Sequence, residues 1–136
     1  MAYGDGVFVA VSFDSSDAAY STDGGQTWTA STLPSSEDWY GVAYGDGVFV
    51  AVSFDSSNAA YSTDGGQTWT ASTTLPTSSE NWFDVAYGNG VFVAVSNSDV
   101  AAYSTDGGQT WTASTLPTKK SLDSIKDKAT SLRSEF

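Results

Sequence analysis

Ser21-Thr22-Asp23-Gly24-Gly25-Gln26-Thr27-Trp28 recurs unchanged as Ser62–Trp69 and as Ser104–Trp111. The copies are offset by 41 and then 42 residues. A fixed period of this size marks a repeat architecture, in which each unit buries its apolar faces against its neighbours. The flanks repeat as well. Ala2–Thr32 and Ala43–Thr73 differ only at Asp17 against Asn58. The third copy, from Ala86, has Asn89 where the second has Asp46, and a shorter loop, Ser96-Asn97-Ser98-Asp99-Val100. Identity at this level implies either very recent duplication or deliberate design.

Each unit reads as four short strands. In the middle unit the first spans about Trp39–Tyr44, and Gly45-Asp46-Gly47 supplies the positive-φ residues of a tight hairpin turn. The second strand, Val48–Ser53, places Val48, Val50 and Val52 on one face and Phe49, Ala51 and Ser53 on the other. Both faces are largely apolar, as expected of a sheet packed between two others. Phe54–Asn58 reads as a polar loop, Ala59–Ser62 as the third strand, Asp64-Gly65-Gly66 as a turn and Thr68–Ser72 as the fourth strand. Four antiparallel strands in just over 40 residues make a β-propeller blade, so the fold class is all-β.

The repeated octet resembles the Asp-box, or bacterial neuraminidase repeat, of pattern Ser-x-Asp-x-Gly-x-Thr-Trp. All five defining positions match three times: Ser21, Asp23, Gly25, Thr27 and Trp28; Ser62, Asp64, Gly66, Thr68 and Trp69; Ser104, Asp106, Gly108, Thr110 and Trp111. The units are also similar to the Tyr-Gly-Asn-Gly-Val-Phe-Val-Ala-Val type of bacterial and phage arrays. The resemblance implies that the motif lies in the turn between a blade's third and fourth strands. The residue types suit a structural task. An aspartate accepts hydrogen bonds from backbone N–H groups within a turn, glycine takes positive φ without steric penalty, and tryptophan packs on a neighbouring blade. One aspartate per turn is too few for a calcium loop, so no metal site and no cofactor is expected.

Composition narrows the function further. The chain has no cysteine and no histidine, which removes the thiolate nucleophile and the commonest general base. All five Lys and Arg residues lie after position 118, and the body before them is uniformly acidic. A phosphate-backbone binder needs cations there, so no nucleic-acid partner is expected. No apolar run approaches the ~18 residues of a membrane span, no signal-peptide pattern follows Met1, and no membrane partner is expected.

The chain therefore divides into three blades within 1–118 (about 1–34, 35–76 and 77–117) and an amphipathic C-terminal segment, 119–136. Propellers typically have about four to eight blades, so three imply closure with copies of the same chain: six blades in a homodimer or nine in a homotrimer. Leu122, Ile125, Ala129, Leu132 and Phe136 follow the 3, 4, 3, 4 spacing of a helical heptad seam. Ser121 is a suitable N-cap for that helix.

Two activities can be weighed against residues. Sialidases of the resembling family grip substrate with an arginine cluster, and residues 1–118 contain no arginine. A glycosidase needs two carboxylates about 5–9.5 Å apart. Asp14, Asp17, Asp55, Glu37, Asp38, Glu80 and Asp84 offer no distinctive pair. The expectation is a non-enzymatic, self-assembling scaffold. The alternative is a multivalent lectin-like module, with Trp39, Tyr40, Trp82 and Phe83 stacking on sugars beside Glu37, Asp38 and Glu80.

Overall fold

The computed structural model describes residues 1–54, 56–76 and 81–117. Twelve strands form three four-stranded antiparallel sheets. The first blade holds β1 (Ala2–Gly4), β2 (Val7–Val11), β3 (Ser15–Ser21) and β4 (Thr29–Glu37). The second holds β5 (Trp39–Gly45), β6 (Val48–Ser53), β7 (Ala59–Ser62) and β8 (Thr70–Ala71). The third holds β9 (Trp82–Gly88), β10 (Val91–Ser96), β11 (Val100–Ser104) and β12 (Thr112–Thr115). Each sheet is ordered as its strands occur in sequence. Among the described residues no helix is long and apolar enough to cross a membrane. The helix read at 119–136, with Leu122, Ile125, Ala129, Leu132 and Phe136, lies outside the described residues, as do Asp55 and Glu80.

The first hairpin of each blade closes through two positive-φ residues: Asp5-Gly6, Asp46-Gly47 and Asn89-Gly90. Asp5, Asp46 and Asn89 have φ of 52°, 49° and 51°, and the glycines after them 82°, 83° and 85°. Positive φ at both central positions is the signature of a type I′ turn, whose twist matches that of the flanking strands. The outer strands vary more. β8 is shorter than the Thr68–Ser72 strand read from sequence, whereas β4 runs past residue 34 to Glu37. Pro34 is accommodated because β4 is a sheet edge, where a missing N–H removes no ladder bond.

The core lies between blades rather than within them. Ala18, Leu33, Trp39, Ala51 and Ala60 join the first blade to the second. Val50, Val52, Ala59, Leu75, Trp82, Phe92, Ala94 and Ala102 join the second to the third. The alternation along β6 explains how one sheet serves two cores. Val50 and Val52 face the third blade, and Ala51 faces the first.

The I′ turns set the register of each blade. Gly47→Val forces a β-branched residue into the left-handed region and should cost about 1–3 kcal/mol, read as a lower Tm. Asp46→Asn, which reproduces the third blade's turn, should leave Tm unchanged or slightly raised. A neutral Gly47→Val would show that the turn does not set the register.

Candidate functional site

The repeated octet forms the same hydrogen-bonded knot three times. In the first copy the Ser21 hydroxyl donates to Asp23 Oδ1 at 2.8 Å and accepts from Gly25 N–H at 2.9 Å. Asp23 also accepts from the Thr27 N–H at 2.9 Å and the Thr27 hydroxyl at 2.5 Å. Ser62, Asp64, Gly66 and Thr68 repeat this pattern, as do Ser104, Asp106, Gly108 and Thr110. All three serines are buried.

The knot holds its carboxylates ionised. The Thr27 hydroxyl, the Thr27 N–H and the Ser21 hydroxyl together lower Asp23 from 3.8 to about 2. Partial burial pushes Asp64 and Asp106 upward, but the hydroxyl and N–H donors of Thr68 and Thr110, with Ser62 and Ser104, outweigh it and both are lowered. Carboxylates so saturated with donors are poor proton carriers at neutral pH.

The second and third knots each rest on the blade before them. Gly66 lies against Val9 and Tyr20, and Gly108 against Val50. Trp69 packs against the first inter-blade core and Trp111 against the second. Trp28, in the first blade, is 43% exposed. The opposite end of the chain shows the complementary vacancy. Val9 and Val50 are both 0% exposed, whereas their repeat counterpart Val93 is 41% exposed.

The candidate ligand-stacking aromatics separate into two classes. Trp39 and Trp82 are buried, which removes them from any sugar-binding surface. Tyr40 and Phe83 are exposed. A β-bulge causes the split. The register of β5 against β6 slips between Trp39 and Gly41, and that of β9 against β10 between Val95 and Ser96, opposite Phe83. The bulge turns the tryptophan into the inter-blade core and its successor outward. Gly41 suits this arrangement because the Asp84 backbone would lie 3.1 Å from a Cβ there.

Tyr40 joins an aromatic cluster that sequence reading missed. Phe13 and Tyr40 have ring centroids 6.2 Å apart, Phe13 and Phe54 6.2 Å, and Tyr40 and Phe54 5.6 Å. Phe13 and Phe54 open the loops read as polar; their recurrence at one repeat position was the available signal. Glu37 and Asp38 are half-buried, and Glu37 accepts from Asn58 Nδ2 at 2.5 Å. Among the described residues no group of three or more acidic side chains gathers as a metal site would require.

These turns are BNR/Asp-box repeats. The BNR/Asp-box family model matches residues 19–30, 60–71 and 102–113. No curated protein matches the sequence. Among solved structures, the chain is similar to YCF48 bound to D1 peptide, with TM-score 0.63 and 23% identity over 79% of this chain and 36% of that one. It is also similar to YCF48 from Cyanidioschyzon merolae, with TM-score 0.60 and 19% identity over 77% of this chain and 35% of that one. A third similarity is to the Niastella koreensis GH74 enzyme, with TM-score 0.53 and 26% identity over 73% of this chain and 15% of that one. The chain thus spans about a third or less of the length of these structures.

A lowered carboxyl pKa stabilises the fold above its unfolded value, and that contribution is lost as pH falls through the folded value. For Asp23 the window runs from 3.8 down to about 2. Carboxyl-detected NMR should place the Asp23 midpoint near about 2, and those of Asp64 and Asp106 below 3.8. Asp64→Asn should lower Tm at neutral pH and lose that deficit once the wild-type carboxylates are protonated. Ordinary midpoints for all three would rule out the knot.

Proposed function

We propose that the chain is a non-enzymatic, self-assembling β-propeller scaffold in which two copies complete a six-bladed ring. The carrying observation is the contrast between Val9 and Val50, sealed under the next blade's turn, and Val93, which is left bare. Val91, Val93 and Val95 form part of an apolar sheet face, and such faces mark interaction surfaces. Six blades lie within the common propeller range and nine lie outside it.

Several observations support a structural role over catalysis. Among the described residues the carboxylates with shifted pKa are those that tie the turns, one in each of the three knots. The GH74 enzyme shares the fold over a small fraction of its length, which carries no activity to this chain. The chain's only arginine is Arg133, and one arginine cannot form the carboxylate-gripping cluster that a sialidase needs.

A second reading rests on the Phe13–Tyr40–Phe54 cluster, whose exposed Phe13 and Tyr40 rings suit stacking against a sugar face in a multivalent ring. YCF48 bound to D1 peptide provides a propeller precedent for holding a partner.

Light scattering or native mass spectrometry should give twice the chain's 14.2 kDa. A mass of three chains would replace six blades by nine, and a single-chain mass would overturn self-assembly. Turnover on a glycan panel that disappears with a carboxylate substitution would overturn the non-enzymatic reading. The binding reading expects Tyr40→Ala to fold normally and bind less on a glycan array; an unchanged array profile would remove it.

A further inference from the structure

The junctions inside the chain repeat a small set of contacts. Tyr44 lies across Gly4 and Tyr87 across Gly45, so closely that a Cβ on either glycine would fall 2.0 Å from the ring. Gly66 seats on Val9 and Gly108 on Val50, where an added Cβ would fall 2.7 Å and 2.5 Å from a valine methyl. At the second junction the Ser72 hydroxyl donates to the Gly108 carbonyl at 2.5 Å, and the Thr73 N–H donates to the Gln109 carbonyl at 3.0 Å.

The two end faces carry the unmated halves of these contacts. Gly88 is the counterpart of Gly4 and Gly45, and a Cβ there would meet nothing within 4 Å. Tyr3 is the counterpart of Tyr44 and Tyr87, and it is 59% exposed. Gly25, the counterpart of Gly66 and Gly108, approaches only its own Trp28, at 3.9 Å. Thr115 and Gln26 stand at the repeat positions of Thr73 and Gln109, the pair bonded at the second junction.

We propose that these halves mate between copies in one direction: Tyr3 of one copy lies across Gly88 of the next, and the Gly25 turn of the first seats on Val93 of the second. The inference rests on the closure reading above and adds its polarity, a head-to-tail seam that continues the internal blade order. The occupant is a second copy because the repeats are nearly identical. The first blade's outward face carries the residues with which the second and third blades already fill their seats. A two-fold interface pairing like with like would instead put turn against turn and leave Gly88 and Val93 uncovered.

The absence of cysteine makes the seam directly testable. The chains to be prepared are Gln26→Cys alone, Thr115→Cys alone and, as a geometric reference, a chain carrying both Thr73→Cys and Gln109→Cys. Under mild oxidation the reference should close an internal disulfide. The mixed single variants should give a covalent two-chain band that neither variant gives alone. Efficient self-linking of either single variant would overturn the head-to-tail polarity. No link in the mixture, with a closed reference and a multi-chain mass, would overturn the seam while leaving self-assembly standing. A single-chain mass for the unmodified protein would remove both.

Gly88→Ala gives a readout independent of disulfide geometry. It should preserve the circular dichroism spectrum and abolish or sharply weaken assembly, because the added methyl occupies the seat of Tyr3. Unchanged assembly by Gly88→Ala would overturn the seam.

Discussion

The structure depends on one contact made repeatedly: the glycine of an Asp-box turn resting on a valine of the preceding blade. At Gly66 and Gly108 there is no room for a side chain, because the Val9 and Val50 methyls occupy the space a Cβ would take. The knot of serine, aspartate and threonine holds the turn rigid, so that backbone rather than a mobile side chain meets the valine. Close packing of this kind is what turns a row of marginal sheets into a folded body. The aspartates matter through the shape they impose, and their low pKa is a by-product of accepting several hydrogen bonds.

A contact that points from each blade to the one before it gives the chain a direction. One end carries a turn and a tyrosine with nothing beneath them, and the other carries a bare valine and a bare glycine. Polarity and repetition together explain why the end faces are apolar although the body is strongly acidic. Among the described residues most acidic groups lie in loops and turns, while the central strands alternate valine with alanine and phenylalanine. The clustered Phe13, Tyr40 and Phe54 rings stand apart from this scheme, because they lie at the strand and loop ends near the bulge rather than in a blade-to-blade seat.

Much of the fold was legible because its signals are local. The Asp46-Gly47 turn, the two-sided alternation of Val48–Ser53 and the Asp64-Gly65-Gly66 turn each report conformation within a few residues. The strands of the middle blade accordingly lie where the pattern puts them, apart from a fourth strand trimmed to Thr70–Ala71. The candidate site was less legible. Trp39 and Tyr40 are adjacent aromatics with no compositional sign of which turns inward, and the bulge that decides it exists only once β5 has paired with β6. Phe13 and Phe54 were hidden in loops whose other residues are polar.

The sequence by itself determined the repeat, the number of blades, the turn chemistry and the absence of cationic or thiol chemistry from the body. Those properties follow from residue identity and short-range spacing. Only the tertiary structure decided which faces are filled. Val9, Val50 and Val93 sit in the same short sequence, yet two are sealed and one is open. No local pattern can separate them, because burial depends on whether another blade follows in space.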